Sequence, residues 1–90
     1  MSAQEKNDEE VKLSVNIISP KESVLKVADF LIVPGKEGIF GIAPNHTKLV
    51  SLLRKGDIVL KEINNPDQTF SINDGIIQIN RNDVEILIST

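Results

Sequence analysis

From Val11 onward the chain alternates. Val11, Leu13, Val15 and Ile17 are separated by Lys12, Ser14 and Asn16, the period of two expected of a strand with one buried face. Ser19-Pro20-Lys21-Glu22 interrupts the pattern as a turn. Ser23 to Val33 then predicts one long second strand, alternating at Val24, Leu25 and Val27. Its end, Phe30-Leu31-Ile32-Val33, is apolar on both faces, so this strand is expected to cross from one sheet to another. Gly35, Gly38 and Gly41 stand between Pro34 and Pro44 and predict tight turns around a short strand near 39–42. Strands are also expected at 48–53, at 58–63, at 68–72, over Ile76, Ile77 and Ile79, and over Val84, Ile86 and Ile88. Arg54-Lys55-Gly56-Asp57, Asn64-Asn65-Pro66-Asp67, Asn73-Asp74-Gly75 and Asn80-Arg81-Asn82-Asp83 supply the turns between them. No segment has a helical period. About eight to ten short strands with regular turns predict an all-β sandwich or barrel, and its expected core is Val15, Ile17, Ile32, Phe40, Ile42, Ile58, Leu60, Phe70, Ile79, Ile86 and Ile88.

Composition agrees with that picture. Ile, Val and Leu make up nearly all of a 40% hydrophobic fraction, and the β-branched members suit a pleated surface. With 90 residues and no cysteine, the chain is one small domain that must be held by apolar packing. Residues 1–10 are polar and acidic with no apolar period and read as a disordered lead-in, leaving 11–90 as the domain. A net charge of −3 with three Phe and neither Tyr nor Trp argues against nucleic-acid binding. No apolar run approaches the ~18 residues of a membrane span, so no direct membrane insertion is expected, and no secretory or transit pattern precedes the domain.

Candidate chemistry is sparse. His46 is the one histidine; a hydrolase built on it would need Ser and Asp beside it, and no nucleophile elbow is present. A single His without Cys is a poor zinc set, so no metal and no catalytic residue is expected. Gly35-x-x-Gly38-x-x-Gly41 is neither a dinucleotide fingerprint nor a phosphate loop, because strands rather than a helix flank it. Asn45-His46-Thr47 matches a glycosylation sequon, but Asn45 has a simpler reading as a residue tolerant of left-handed backbone.

One long stretch resembles a known family. Val33-Pro34-Gly35-Lys36-Glu37-Gly38-Ile39-Phe40-Gly41-Ile42-Ala43-Pro44-Asn45-His46 is similar to the V-P-G-x-E-G-x-F-G-(I/V)-x-P-(G/N)-H segment of ATP synthase epsilon subunits. Leu49-Val50-Ser51-Leu52-Leu53, the run Phe70 to Ile79, the run Asn82 to Leu87 and the opening Leu13 to Pro20 resemble further family segments, in register over 12–90. The resemblance implies a ten-stranded β-sandwich of two mostly antiparallel sheets. It also implies a non-catalytic rotor subunit without cofactor, peripheral on the cytoplasmic face of the inner membrane as part of the F1 sector. Such a subunit clamps the gamma subunit to the c-ring, so that proton-driven rotation reaches the catalytic head.

By the same resemblance, Ser19, His46, Leu49, Val50 and Ser51 would face gamma, and Lys36, Glu37, Gly38, Ile39 and Phe40 would face the c-ring. Ile39 stands where many members carry a polar or acidic residue, and Thr47-Lys48 replaces the usual Ala-Pro. Typical bacterial members continue into an inhibitory two-helix hairpin, which is not expected of a chain ending at Thr90. The isolated domain is expected to be a monomer. The alternative is a stand-alone sandwich adaptor for another protein, with the acidic lead-in as its binding arm.

Overall fold

The computed structural model describes residues 11–89; the expected acidic lead-in lies outside them. Nine strands follow one another: β1 Leu13–Ile18, β2 Ser23–Ala28, β3 Phe30–Gly35, β4 Gly38–Ile42, β5 His46–Leu53, β6 Gly56–Glu62, β7 Asn65–Ile72, β8 Gly75–Arg81 and β9 Asp83–Ile88. They pair in the order β2-β1-β9-β8-β5-β3-β6-β7, with β4 on β3. Only β1 and β9 run parallel; the other pairs are antiparallel.

The hydrogen-bonded path is continuous, but it folds at a corner. β5 and β3 share the single pair Gly35↔Leu53, reinforced where Lys36 N donates to Leu52 O and Arg54 N to Pro34 O, each at 2.9 Å. The corner divides the path into a five-stranded sheet, β2-β1-β9-β8-β5, and a four-stranded one, β4-β3-β6-β7. Their facing sides form the core of a sandwich. The expectation of ten strands in two sheets is thus met by nine strands in two halves joined at that corner.

The long second strand does cross between sheets, and Asp29 is where it breaks. Its backbone N donates to Lys61 O at 2.8 Å, and its carboxylate accepts from Ile63 N at 2.7 Å. Lys12 adds an ion pair at 3.3 Å. With its backbone N–H and its carboxylate each satisfying one backbone site of the facing strand and turn, Asp29 lets the chain leave one sheet and enter the other without orphaned polar groups. The 64–67 turn is shorter than expected. Only Ile63 and Asn64 turn, and β7 already begins at Asn65, carrying Pro66 on a strand at the end of the path, where a missing N–H breaks no ladder.

Fifteen aliphatic residues are buried, and no polar or charged residue is buried among the described ones. Val15, Ile17, Ile42, Ile58, Leu60, Ile79 and Ile86 are core as expected, and Phe40, Phe70 and Ile88 pack against it while half-buried. Ile32 is the correction. Leu31 and Val33 are fully buried, so Ile32 between them faces outward and is only half-buried.

Candidate functional site

The outer face of the five-stranded sheet carries a feature the core does not explain. Register makes Ile18 the partner of Leu87, Leu87 of Ile76, and Ile76 of Leu52. All four alternate with inward neighbours, so they form one apolar row across β1, β9, β8 and β5. Leu87 is 46% exposed, Ile76 44% and Leu52 51%. The next row on the same face is Asn16, Glu85, Gln78 and Val50, and the one beyond holds Ser14, Asp83 and Asn80. The face is therefore apolar at one end and more polar over the rest, where the exposed apolar side chains are Val50 at one edge and, on β2 at the other, Leu25 and Val27, the partners of Asn16 and Ser14. A contiguous exposed apolar patch rimmed by polar residues marks an interaction surface.

The residues expected to face gamma are spread over this sheet rather than gathered. Val50 is 66% exposed and points outward beside the row. Leu49 and Ser51 lie opposite Ile79 and Ile77, so they turn to the inner side at the open edge of β5. His46 begins β5 opposite Arg81, beyond a bulge between His46 and Leu49. Its Nδ1 lies 2.7 Å from Thr47 O, so the ring is tied to neighbouring backbone rather than to a carboxylate. Ser19 sits at the opposite end of the sheet, three strand spacings or about 14 Å across from β5. Its hydroxyl donates to Glu22 O at 3.0 Å and accepts from Glu22 N at 3.2 Å, which closes the β1–β2 turn.

The turn that delivers His46 is held from a distance in sequence. Asn45 has a φ of 65°, the left-handed conformation expected of it. Its backbone N donates to Asn82 Oδ1 at 2.7 Å, and Asn82 Nδ2 donates to Asn45 Oδ1 at 3.1 Å. This reciprocal pair clips the β4–β5 turn onto the β8–β9 turn. Sequence reasoning did not find it, because nothing local links two Asn residues so far apart.

The residues expected to face the ring form the β3–β4 hairpin. Lys36 and Glu37 are its two turn residues, and Ile39 just beyond them is 70% exposed. Phe40 points the other way and packs on the core. Two glycines set this geometry. A β-carbon on Gly35 would stand 2.6 Å from the Gly38 carbonyl oxygen and 2.8 Å from the Phe40 ring. Gly38 has a φ of 146°, which side-chain-bearing residues rarely adopt.

Leu52, Ile76, Leu87 and Ile18 were missed as site residues. Their signal was present as doublets: Ile17-Ile18, Leu52-Leu53, Ile76-Ile77 and Ile86-Leu87 each place one apolar side chain on the outer face. Among the described residues no cluster of three or more His, Cys, Asp or Glu is arranged to hold a metal, and no helix is long and apolar enough to cross a membrane. What the outer row offers chemically is exposed apolar contact area.

Residues 12–90 match the family described as ATP synthase, delta/epsilon chain, beta-sandwich domain. The ATP synthase epsilon chain of Leptospira interrogans is 40% identical over 77 residues, covering 84% of this chain and 60% of that one. The epsilon chain of Myxococcus xanthus is 36% identical over 77 residues, covering 84% of this chain and 56% of that one. The chain therefore spans somewhat over half the length of these curated relatives. Among solved structures, a chain of the Euglena gracilis mitochondrial ATP synthase OSCP/F1/c-ring assembly aligns with a TM-score of 0.82 at 18% identity, over 89% of this chain and 52% of that one. A chain of the Tetrahymena thermophila mitochondrial ATP synthase central stalk and c-ring aligns with a TM-score of 0.71 at 19% identity, over 88% and 64%. At that identity the two structures speak for the fold. The chain belongs to the delta/epsilon-chain β-sandwich family of ATP synthases.

Proposed function

We propose that this member of the family is the epsilon-type subunit of a rotary ATP synthase and serves its central stalk as a non-catalytic coupling clamp. The observation that carries the proposal is the family match over 12–90, which takes in all nine strands. The two aligned assemblies, one an OSCP/F1/c-ring and the other a central stalk and c-ring, support the same setting. In this reading the gamma subunit docks on β5 and the adjoining outer face, with Val50 as the most exposed contact and the clipped His46 turn at its far end. The β3–β4 hairpin meets the c-ring through Lys36, Glu37 and Ile39, and the apolar tip at Ile39 makes that contact a packing one rather than an ion pair. Torque from proton-driven rotation of the ring passes through the sandwich to gamma. The subunit is held peripherally on the membrane face where F1 sits.

The physical fit is that a coupling clamp must be stiff. A wholly aliphatic core between two cross-connected sheets provides that stiffness, because close-packed interiors transmit strain instead of absorbing it. The test is co-purification of the tagged chain with the gamma subunit and c-ring of the same organism. A stoichiometric complex is the expected outcome. A chain that pulls down neither gamma nor the gamma–ring assembly sinks the proposal and leaves the adaptor reading in its place.

A further inference from the structure

The apolar row does not end on a flat surface. At the corner between the sheets it opens into a groove of about 570 Å³, lined by Leu52, Ile76 and Leu87 and by the cations Lys36, Arg54 and Lys55. Asp74 is the only acidic residue lining it. The cations are placed by the fold: Lys36 N bonds to Leu52 O and Arg54 N to Pro34 O, so both side chains leave from backbone pinned at the corner. Among the described residues, none of the three cationic side chains makes a hydrogen bond or ion pair. An apolar floor bordered by unpaired cations is complementary to one kind of surface, an apolar stripe flanked by carboxylates.

We infer that this groove receives a segment of the gamma subunit whose apolar side chains fill the row and whose Asp or Glu side chains face Lys36, Arg54 and Lys55. The inference rests on the stalk reading above and adds the chemistry of the docking segment to it. A second copy of this chain is a poor occupant. A matching groove brings three cations against one carboxylate, Asp74, so pairing two copies through it sets net positive charge against net positive charge, which opposes association.

The test uses the full chain and the gamma subunit of the same organism, with affinity measured at low and at high salt. Ile76→Lys is expected to weaken binding about 100-fold and Ile76→Ser about tenfold, as for a central apolar anchor. The double charge reversal Arg54→Glu with Lys55→Glu is expected to weaken binding about tenfold or more at low salt, with the deficit shrinking at high salt as screening takes over. Val27→Lys, on the outer face of β2 away from the row, should stay within about twofold of the parent. Thermal melts establish that each variant is folded.

If both Ile76 variants bind gamma like the parent, the groove is not the docking site. If charge reversal leaves affinity unchanged or raises it, the acidic partner chemistry is wrong. Self-association of the parent chain that Ile76→Lys abolishes would assign the groove to a second copy instead. A parent chain that does not bind gamma at all overturns the stalk reading together with this inference, whereas a bound parent with indifferent variants overturns this inference alone.

Discussion

The same four strands carry two hydrophobic rows, one residue apart. On the inner face Ile17, Ile86 and Ile77 are register partners, and they end at Ser51. On the outer face Ile18, Leu87, Ile76 and Leu52 are partners in the same order. The residues are almost the same in kind. The inner three are buried and the outer row is largely open to solvent. Side-chain parity on the pleat, not hydrophobicity, buries one row and leaves the other open to a partner. The inner row is covered by the second sheet; the outer one has no covering element within 11–89.

The strongest way to break this comparison is to truncate one residue on each side of a single peptide bond. Ile86→Ala removes a fully buried side chain and should cost about 2–5 kcal/mol of unfolding free energy, read from urea melts. Its neighbour Leu87→Ser should change unfolding by no more than about 0.5 kcal/mol while weakening gamma binding about tenfold, or about 1.4 kcal/mol. Equal stability losses from the two changes would show that the outer row is structural after all.

A second comparison sets the outer row against the hairpin tip, the other exposed apolar feature. The row is fixed by ladders on four strands, whereas Ile39 depends on one hairpin held by the close approach of Gly35 to Gly38 and Phe40. Gly35→Ala drives a methyl into a backbone carbonyl and an aromatic ring, and should destabilise the domain by about 1–3 kcal/mol. Ile39→Gln touches neither and should be stability-neutral within about 0.5 kcal/mol. Its effect should fall on assembly with the c-ring, leaving gamma affinity unchanged. Loss of gamma binding in Ile39→Gln, measured by co-purification without the ring, would collapse the distinction between the two surfaces.

How much of this was legible beforehand depends on local pattern. Strands with clean alternation, such as Leu13 to Ile17, are found at the expected place with the expected face inward, because a period of two leaves one choice of parity, although β1 begins two residues after Val11. Phe30-Leu31-Ile32-Val33 is apolar at every position, so alternation offers no choice and Ile32 was put on the wrong face. What decides it is tertiary: the break at Asp29 sets the phase, and Leu31 and Val33 then point inward. The outer row failed to appear in the sequence for a related reason. Each doublet hints at one exposed apolar residue, but only strand order places the four in line, and strand order includes the parallel β1–β9 pair between the two ends of the chain. The resemblance supplied single positions on β5, on the hairpin and, with Ser19, in the β1–β2 turn. It did not supply the row, because rows run across strands and motifs run along them.

The smallest expected effect concerns the clip behind His46. Asn82→Ala removes both bonds between the two Asn side chains and the Asn45 backbone donor, while the Ser14 N to Asn82 O bond at 2.8 Å is main-chain and survives. Both groups lie near solvent, which competes for them, so the cost should be about 1 kcal/mol. Asn45→Gly is the sharper partner experiment. It keeps the N–H that donates to Asn82 Oδ1, loses only the weaker 3.1 Å bond, and relieves the left-handed backbone at a φ of 65°. It should therefore be within about 0.5 kcal/mol of the parent. If the clip positions the His46 turn for gamma, Asn82→Ala should also lose its effect on gamma affinity in a His46→Ala background, a coupling that a double-mutant cycle reads directly. Additive losses would mean that the clip steadies the sandwich without aiming the histidine, and the gamma-facing surface would then contract to Val50 and the apolar row.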